Sequence, residues 1–145
     1  MSELKSDYII CLDNGHGVNT PGKCSPDKKL KEYAYTREIV KELSKKLQDN
    51  GYKTYIVTPE ETDISLKERC KRINTIYKNN NKKAISISVH CNAAGGDGKW
   101  HDAKGWSVYV SLNASSNSKK LAQDLYESAS DLKGNRSVPA NHYWI

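Results

Sequence analysis

The sequence predicts an α/β fold, a mostly parallel central sheet flanked by helices, and three observations carry that prediction. Short apolar runs of strand character alternate with longer stretches of helical periodicity, in the order β, α, β, α, β, β, α. The helical stretches carry caps and stops, with Ser65 and Glu68 at one start and Gly51 and Gly134 at two ends. The 145 residues, 37% hydrophobic and 28% charged, suit a single domain over residues 1–145 with a real core.

The first strand runs from Tyr8 to Leu12 and ends at Asp13-Asn14-Gly15; a loop rich in Gly, Pro and Asn follows, from His16 to Asp27. From about Lys31 to Asn50, Ile39, Leu43 and Leu47 recur at helical spacing with Val40 beside them, and Gly51 stops the helix. Tyr52 to Thr58 is a second strand, terminated by Pro59. Ser65 and Glu68 form a capping box, each side chain placed to satisfy a free N–H at the helix start. The helix it opens presents Leu66, Cys70, Ile73 and Ile76/Tyr77 on one side. Ala84 to Asn92 reads as a third strand, with Ile85, Ile87 and Val89 alternating against Ser86, Ser88 and His90. Trp106 to Leu112 alternates in the same way and predicts a fourth. A last helix, from about Asn117 to Leu132, rests on Leu121, Leu125, Ala129 and Leu132. There is no internal repeat, low-complexity tract or linker.

The 23 Lys and Arg against 17 Asp and Glu give a net charge of +6, which raises the question of an acidic partner. The basic residues are dispersed, with short clusters only at Lys28-Lys29-Lys31 and Lys82-Lys83, so they read as a solvated face. No nucleic-acid motif accompanies them, and nucleic acid is not an expected partner. No apolar stretch approaches the ~20 residues of a membrane helix, so no membrane partner is expected either. The polar opening, Met1 to Asp7, leads straight into a strand and predicts no secretory signal, hence synthesis in the cytoplasm. Cys11, Cys24, Cys70 and Cys91 show no C-x-x-C pairing. With Cys11 and Cys91 in strands and Cys70 on the apolar side of a helix, buried free thiols are expected.

In parallel sheets ligands gather beyond the carboxyl ends of the strands. Two such ends deliver a histidine: His16, between Gly15 and Gly17 after the first strand, and His90 at the close of the third. Glu32 stands in the first turn of the first helix. Two imidazoles and one carboxylate are a ligand set of catalytic zinc, whose fourth position stays open to water. Taken singly, each has an ordinary reading: His16 as a hydrogen-bonding loop residue, His90 as a satisfied strand histidine, Glu32 as a dipole-stabilising residue at a helix start. Their joint placement on the ligand side of the sheet favours Zn2+.

The segment Ile10-Cys-Leu-Asp-Asn-Gly-His-Gly17 resembles the opening "LDxGHG" of the zinc-dependent N-acetylmuramoyl-L-alanine amidases of the amidase-3 type. Glu32, Ser86-Ile-Ser-Val-His-Cys-Asn-Ala93 and Asn135-Arg136-Ser-Val138 extend the resemblance in order over almost the whole chain. It implies that His16, Glu32 and His90 bind zinc, and that the reaction is hydrolysis of the amide between N-acetylmuramic acid and L-alanine in peptidoglycan. It places Asp13, Asn92 and Arg136 at motif positions, as residues that support the ligands or the substrate. Asp13 or a backbone carbonyl is a candidate to orient a ligand imidazole. Trp100 and Trp106 are candidates to pack on sugar or peptide, Trp106 equally a core residue.

Members of the family carry a second glutamate on a last strand, as general base. That strand is missing from the sequence up to Ile145, and Pro139–Ile145 holds no carboxylate. The expectation is therefore a C-terminally short amidase-like domain, endolysin-like, acting at the bacterial cell wall, with the general base absent and activity impaired. A non-catalytic zinc-containing module that binds muropeptides is the alternative. Another zinc peptidase is a third reading, though the short H-x-x-E pairing of zinc carboxypeptidases is absent. Asp97, His101, Asp102 and His142 are ordinary loop and tail residues on this reading, with His101 and His142 the two that stand open as extra ligands.

Overall fold

A computed structural model of the chain describes residues 5–103 and 105–130. The chain divides into two compact units, Met1–Ala93 and Ala94–Ile145. In the first, the element order is β1 (Ile9–Asn14), α1 (Glu32–Asp49), β2 (Lys53–Ile56), α2 (Leu66–Asn79) and β3 (Ala84–Val89). The three strands form one sheet in the order β2-β1-β3, and both pairings are parallel. The expected α/β class with a parallel sheet is thus what the chain forms.

The central position of β1 explains its composition. A strand paired on both edges and covered on both faces must hide its side chains. Cys11 and Leu12 are fully buried, and Ile10, Leu12 and Val40 of α1 form the core, packed against Leu43, Leu47, Tyr52, Ile56, Ile87 and Val89. A fully buried aliphatic side chain such as Leu12 or Val40 contributes about 1.5–3 kcal/mol by leaving water. The register sets Ile9 against Lys53 and Ala84 at one end, and Leu12 against Ile56 and Ile87 toward the other.

Helix α1 turns its Thr36-Val40-Ser44 line inward, one position off the expected Ile39 line, and Ile39 is left exposed. The polar members are satisfied: Thr36 Oγ1 donates to the Gly15 carbonyl at 3.2 Å, and Ser44 Oγ shares a 2.7 Å hydrogen bond with Thr54 Oγ1. The helix ends where the sequence predicts. Gly51 takes φ +81°, its N–H donates to Gln48 at 2.9 Å, and the Tyr52 N–H donates to Leu47 at 3.0 Å. That is a Schellman ending, with Tyr52 and Leu47 both against the core.

Helix α2 corrects the sequence reading. Leu66 is 80% exposed, and Cys70 and Tyr77 are exposed as well; the side facing the sheet carries Arg69, Arg72, Ile73 and Ile76. Asp13, at the end of a buried strand, accounts for the difference, because its carboxylate requires a cation and Arg69 supplies it. The capping box is half formed. Ser65 Oγ accepts from the Glu68 N–H at 3.3 Å, while the Glu68 carboxylate turns to Arg72 at 3.3 Å. All four cysteines are free, with Cys11 buried, Cys91 half-buried, and Cys24 and Cys70 exposed, so Cys70 is not the buried thiol expected.

In the second unit, α3 (Ser116–Ser130) is capped by Ser115, whose hydroxyl accepts from the Ser118 N–H at 3.2 Å. Leu121, Leu125 and Ala129 are half-buried along it; Leu132 and Gly134 lie outside the described residues. Trp106 to Leu112 forms no strand among the described residues. Alternation marks a surface with one covered side, and here the cover comes from a helix: Trp106 stacks on Tyr126 of α3, centroids 5.9 Å apart. A strand also needs a ladder partner, which periodicity cannot supply.

Candidate metal centre

The topology selects the site before any side chain is considered. From β1 the chain crosses to β2 on one side, and from β2 it returns to β3 on the other. Right-handed connections then leave α1 and α2 on opposite faces, and a crevice opens between the carboxyl ends of β1 and β3. The ladder runs to the lip of this crevice, where the Gly15 N–H donates to the Val89 carbonyl at 2.9 Å. The next residue on each strand is a histidine, His16 on one and His90 on the other.

Glu32 reaches the same point from the first residue of α1. Its position is set by the loop before it: the Glu32 N–H donates to the Lys23 carbonyl at 3.0 Å, and Cys24 and Lys31 form an antiparallel bridge. The carboxylate is buried, and its Oε1 lies 3.2 Å from His90 Nδ1 and 3.5 Å from His16 Nε2. The same oxygen accepts the Cys91 N–H at 2.8 Å. The two imidazoles meet edge to face, centroids 5.0 Å apart.

One ligand atom from each of the three residues lies within 4.8 Å of the others. Zinc with arms of about 2.0–2.2 Å separates tetrahedral donors by roughly 3.3 Å. Two of the three separations already match that, and the donor chemistry is that of a zinc site, so the residues fit the ion. Burial at His16 favours the uncharged imidazole. Burial pushes its pKa below the ordinary 6.5, against the pull of Glu32, and His90 and Lys23 push it the same way as burial. A neutral imidazole is the form that ligates.

The glycines beside His16 are required by space. A Cβ on Gly15 would stand 2.5 Å from His90 Nδ1, and one on Gly17 would stand 2.0 Å from the Asp63 backbone nitrogen. His16 itself takes φ +60°, a left-handed conformation that costs a non-glycine residue about 1–3 kcal/mol. Its carbonyl is held by Arg37 Nη1 at 3.1 Å, and the Gly17 N–H is held by Thr20 Oγ1 at 3.0 Å.

Asp13 does not orient an imidazole. Its carboxylate accepts from Arg69 Nη1 at 2.8 Å, Ser88 Oγ at 2.8 Å and Thr58 Oγ1 at 3.4 Å, so it braces the strand ends from below. Asn92 is exposed, two residues past His90. Arg136 and His142 lie outside the described residues. His101, in the second unit, pairs with Asp97 at 2.9 Å, and Trp100 is exposed. Arg37, Thr36 and Arg69 were not singled out from the sequence. The one signal for Arg69 was an acid, Asp13, closing an apolar strand.

The fold and the site define a class: a parallel α/β protein with a His–Glu–His donor cluster at the point where its strand connections diverge. The family model of the N-acetylmuramoyl-L-alanine amidases of the amidase-3 type matches residues 10–145, and the chain belongs to that family. No curated protein sequence matches it. Among solved structures it is similar to the N-acetylmuramoyl-L-alanine amidase from Clostridium difficile 630, with 27% identity and a TM-score of 0.67 over 85% of this chain and 63% of that one. The catalytic domain of CwlV, an amidase from Bacillus (Paenibacillus) polymyxa var. colistinus, gives 21%, 0.65, 83% and 61% for the same measures. AmiC2 of Nostoc punctiforme gives 18%, 0.67, 91% and 67%. The chain thus spans under two thirds of the length of the first two structures.

Proposed function

We propose that this chain is a zinc-dependent peptidoglycan amidase domain, with His16, Glu32 and His90 as the metal ligands and the N-acetylmuramoyl–L-alanine amide as the bond addressed. The observation that carries the proposal is the placement of Glu32 Oε1 against both imidazoles. The family match from residue 10 to residue 145 supports reading residues 1–145 as one domain acting at the bacterial cell wall.

Bound by these three side chains, zinc supplies a Lewis acid that polarises a carbonyl and brings the pKa of water toward neutrality. The chain's own contribution is to hold the donors ready. The Cys91 N–H fixes the Glu32 carboxylate, and burial lowers the pKa of His16, which favours its neutral form.

A general base is the role the described residues leave unfilled. Asp63 is the other carboxylate whose charge reaches His16, but Thr20 and Arg69 hold its pKa below the ordinary 3.8, so it is a poor proton acceptor. Asp13 is bound to Arg69. A second reading keeps the same three ligands in a zinc-containing module that binds muropeptides and cuts them slowly or not at all.

Metal analysis of the purified chain, followed by mass spectrometry of muropeptides incubated with it, tests both. One zinc per chain with release of free stem peptide is the result expected of the amidase. Zinc and muropeptide binding without release supports the binding module. A chain that takes up no zinc sinks both readings.

A further inference from the structure

His16 sits in a left-handed backbone conformation, φ +60°, and needs a restraint to stay there. Glycine on either side leaves the backbone loose, and a Cβ would meet the His90 ring at Gly15 and the Asp63 backbone at Gly17. The restraint comes from α1. Arg37 Nη1 donates to the His16 carbonyl at 3.1 Å and to the Tyr33 carbonyl at 2.9 Å. Its Nε and Nη2 donate to the Glu60 carbonyl at 3.1 and 2.5 Å. The guanidinium also lies over the Tyr33 ring, 5.6 Å from the centroid. One planar fork therefore ties together the segment after β1, the first turn of α1 and the segment after β2. Thr36, the preceding residue, takes the Gly15 carbonyl. The helix whose first residue donates the Glu32 carboxylate thus grips the backbone of both Gly15 and His16.

We propose that Arg37 is a positioning residue for the metal centre: its fork on the His16, Tyr33 and Glu60 carbonyls holds His16 in the left-handed conformation that aims the imidazole at Glu32. The inference rests on the proposed metal site and goes beyond its three ligands. A guanidinium suits the task because it is rigid and offers donors in several directions at once. A lysine carries the same charge with its donors on a single nitrogen, which cannot span the carbonyls that Nε, Nη1 and Nη2 reach together.

The test is cobalt binding to the whole chain, followed by titration and by the visible absorption of the bound ion, with thermal unfolding of the metal-free protein alongside. Arg37→Gln and Arg37→Lys are compared with Arg72→Gln. Arg72 holds the same segment after β2, through the Val57 carbonyl and the Glu60 carboxylate, and does not touch His16. The expected result is a cobalt affinity about 10–100-fold weaker in both Arg37 variants, with an altered absorption band, and unchanged affinity and band in Arg72→Gln. Should Arg37→Gln fail to fold, Arg37→Lys carries the comparison. Wild-type affinity and spectrum in the Arg37 variants would overturn the proposal. So would equal losses of affinity in the Arg37 and Arg72 variants that follow the melting temperature. A wild-type chain that binds no cobalt or zinc overturns the metal centre itself, a result distinct from either.

Discussion

Arg69 Nη1 donates to Asp13 Oδ1 at 2.8 Å across 56 residues of chain, and both side chains are nearly hidden from water. The same nitrogen reaches the Asn14 carbonyl at 2.7 Å, and Nη2 reaches Asp63 at 2.9 Å. Asp63 in turn accepts from Thr20 Oγ1 at 2.6 Å, and Thr20 Oγ1 accepts the Gly17 N–H. One buried cation thereby links the end of the central strand to the backbone just past His16. Arg69→Met leaves Asp13 without its charged partner in a buried position. The expected loss is about 3–5 kcal/mol of unfolding free energy, read from urea unfolding. Replacing both residues, Asp13→Leu with Arg69→Met, should recover part of it, and a double variant weaker than Arg69→Met would count against the ion-pair account.

The two glycines around His16 should separate stability from metal binding. On Gly15 a Cβ would press on the His90 ring, a side chain that can yield by leaving Glu32 while the backbone stays in place. Gly15→Ala should therefore fold with a melting temperature near that of the wild type while binding zinc more weakly, because His90 is displaced. On Gly17 a Cβ would strike the backbone at Asp63 and Thr62, which must shift as a segment. Gly17→Ala should lose about 1–3 kcal/mol of stability and zinc affinity together. Paired calorimetric titration and thermal unfolding of the two variants check this contrast.

The order of strands and helices was legible because apolar periodicity reports which side of an element is covered, and Gly51, Ser65 and Pro59 mark where elements end. The candidate site was legible because His16 and His90 fall at strand ends, where the topology places a crevice. What periodicity misses is a polar group that faces inward with a partner. Arg69 and Arg72 occupy the sheet side of α2, while Leu66, Cys70 and Tyr77, which match an apolar template, face water. Arg37 is less legible still. Its partners are carbonyls on three separate segments, and a backbone carbonyl has no residue type to recognise.

Acid should weaken the first unit through Asp63. The Thr20 hydroxyl first, and then Arg69, hold its pKa below the ordinary 3.8. A carboxyl with a depressed pKa in the folded state contributes its full stabilisation above the unfolded value and loses it as pH falls through the folded one. The effect thus belongs below about pH 4 and is absent at neutral pH. Because Asp63 is about a third exposed, roughly 0.2–1 kcal/mol is at stake. Urea midpoints of wild type and Asp63→Asn at pH 7, 5, 4 and 3 measure it. The gap between them should be constant from pH 7 to 5 and narrow at pH 3. A gap that widens toward pH 3 contradicts the assignment.

Removal of the Glu32 charge should uncouple the metal from stability. A ligand that binds the folded chain alone stabilises it by mass action, by about 2.7 kcal/mol when its free concentration is a hundredfold above Kd. Zinc added to the wild type should therefore raise the unfolding temperature, and a chelator should reverse the rise. Any zinc taken up by the four free cysteines in the unfolded chain, Cys11 newly uncovered among them, would reduce the gain. Glu32→Gln keeps the volume and an acceptor for the Cys91 N–H, so the metal-free variant should melt close to the metal-free wild type. What it lacks is the negative charge between the two imidazoles. Its zinc-dependent rise should shrink or vanish, with affinity lower by about 10-fold or more, a change that 1.4 kcal/mol of lost interaction is enough to produce. An undiminished rise in Glu32→Gln would place the zinc elsewhere in the chain.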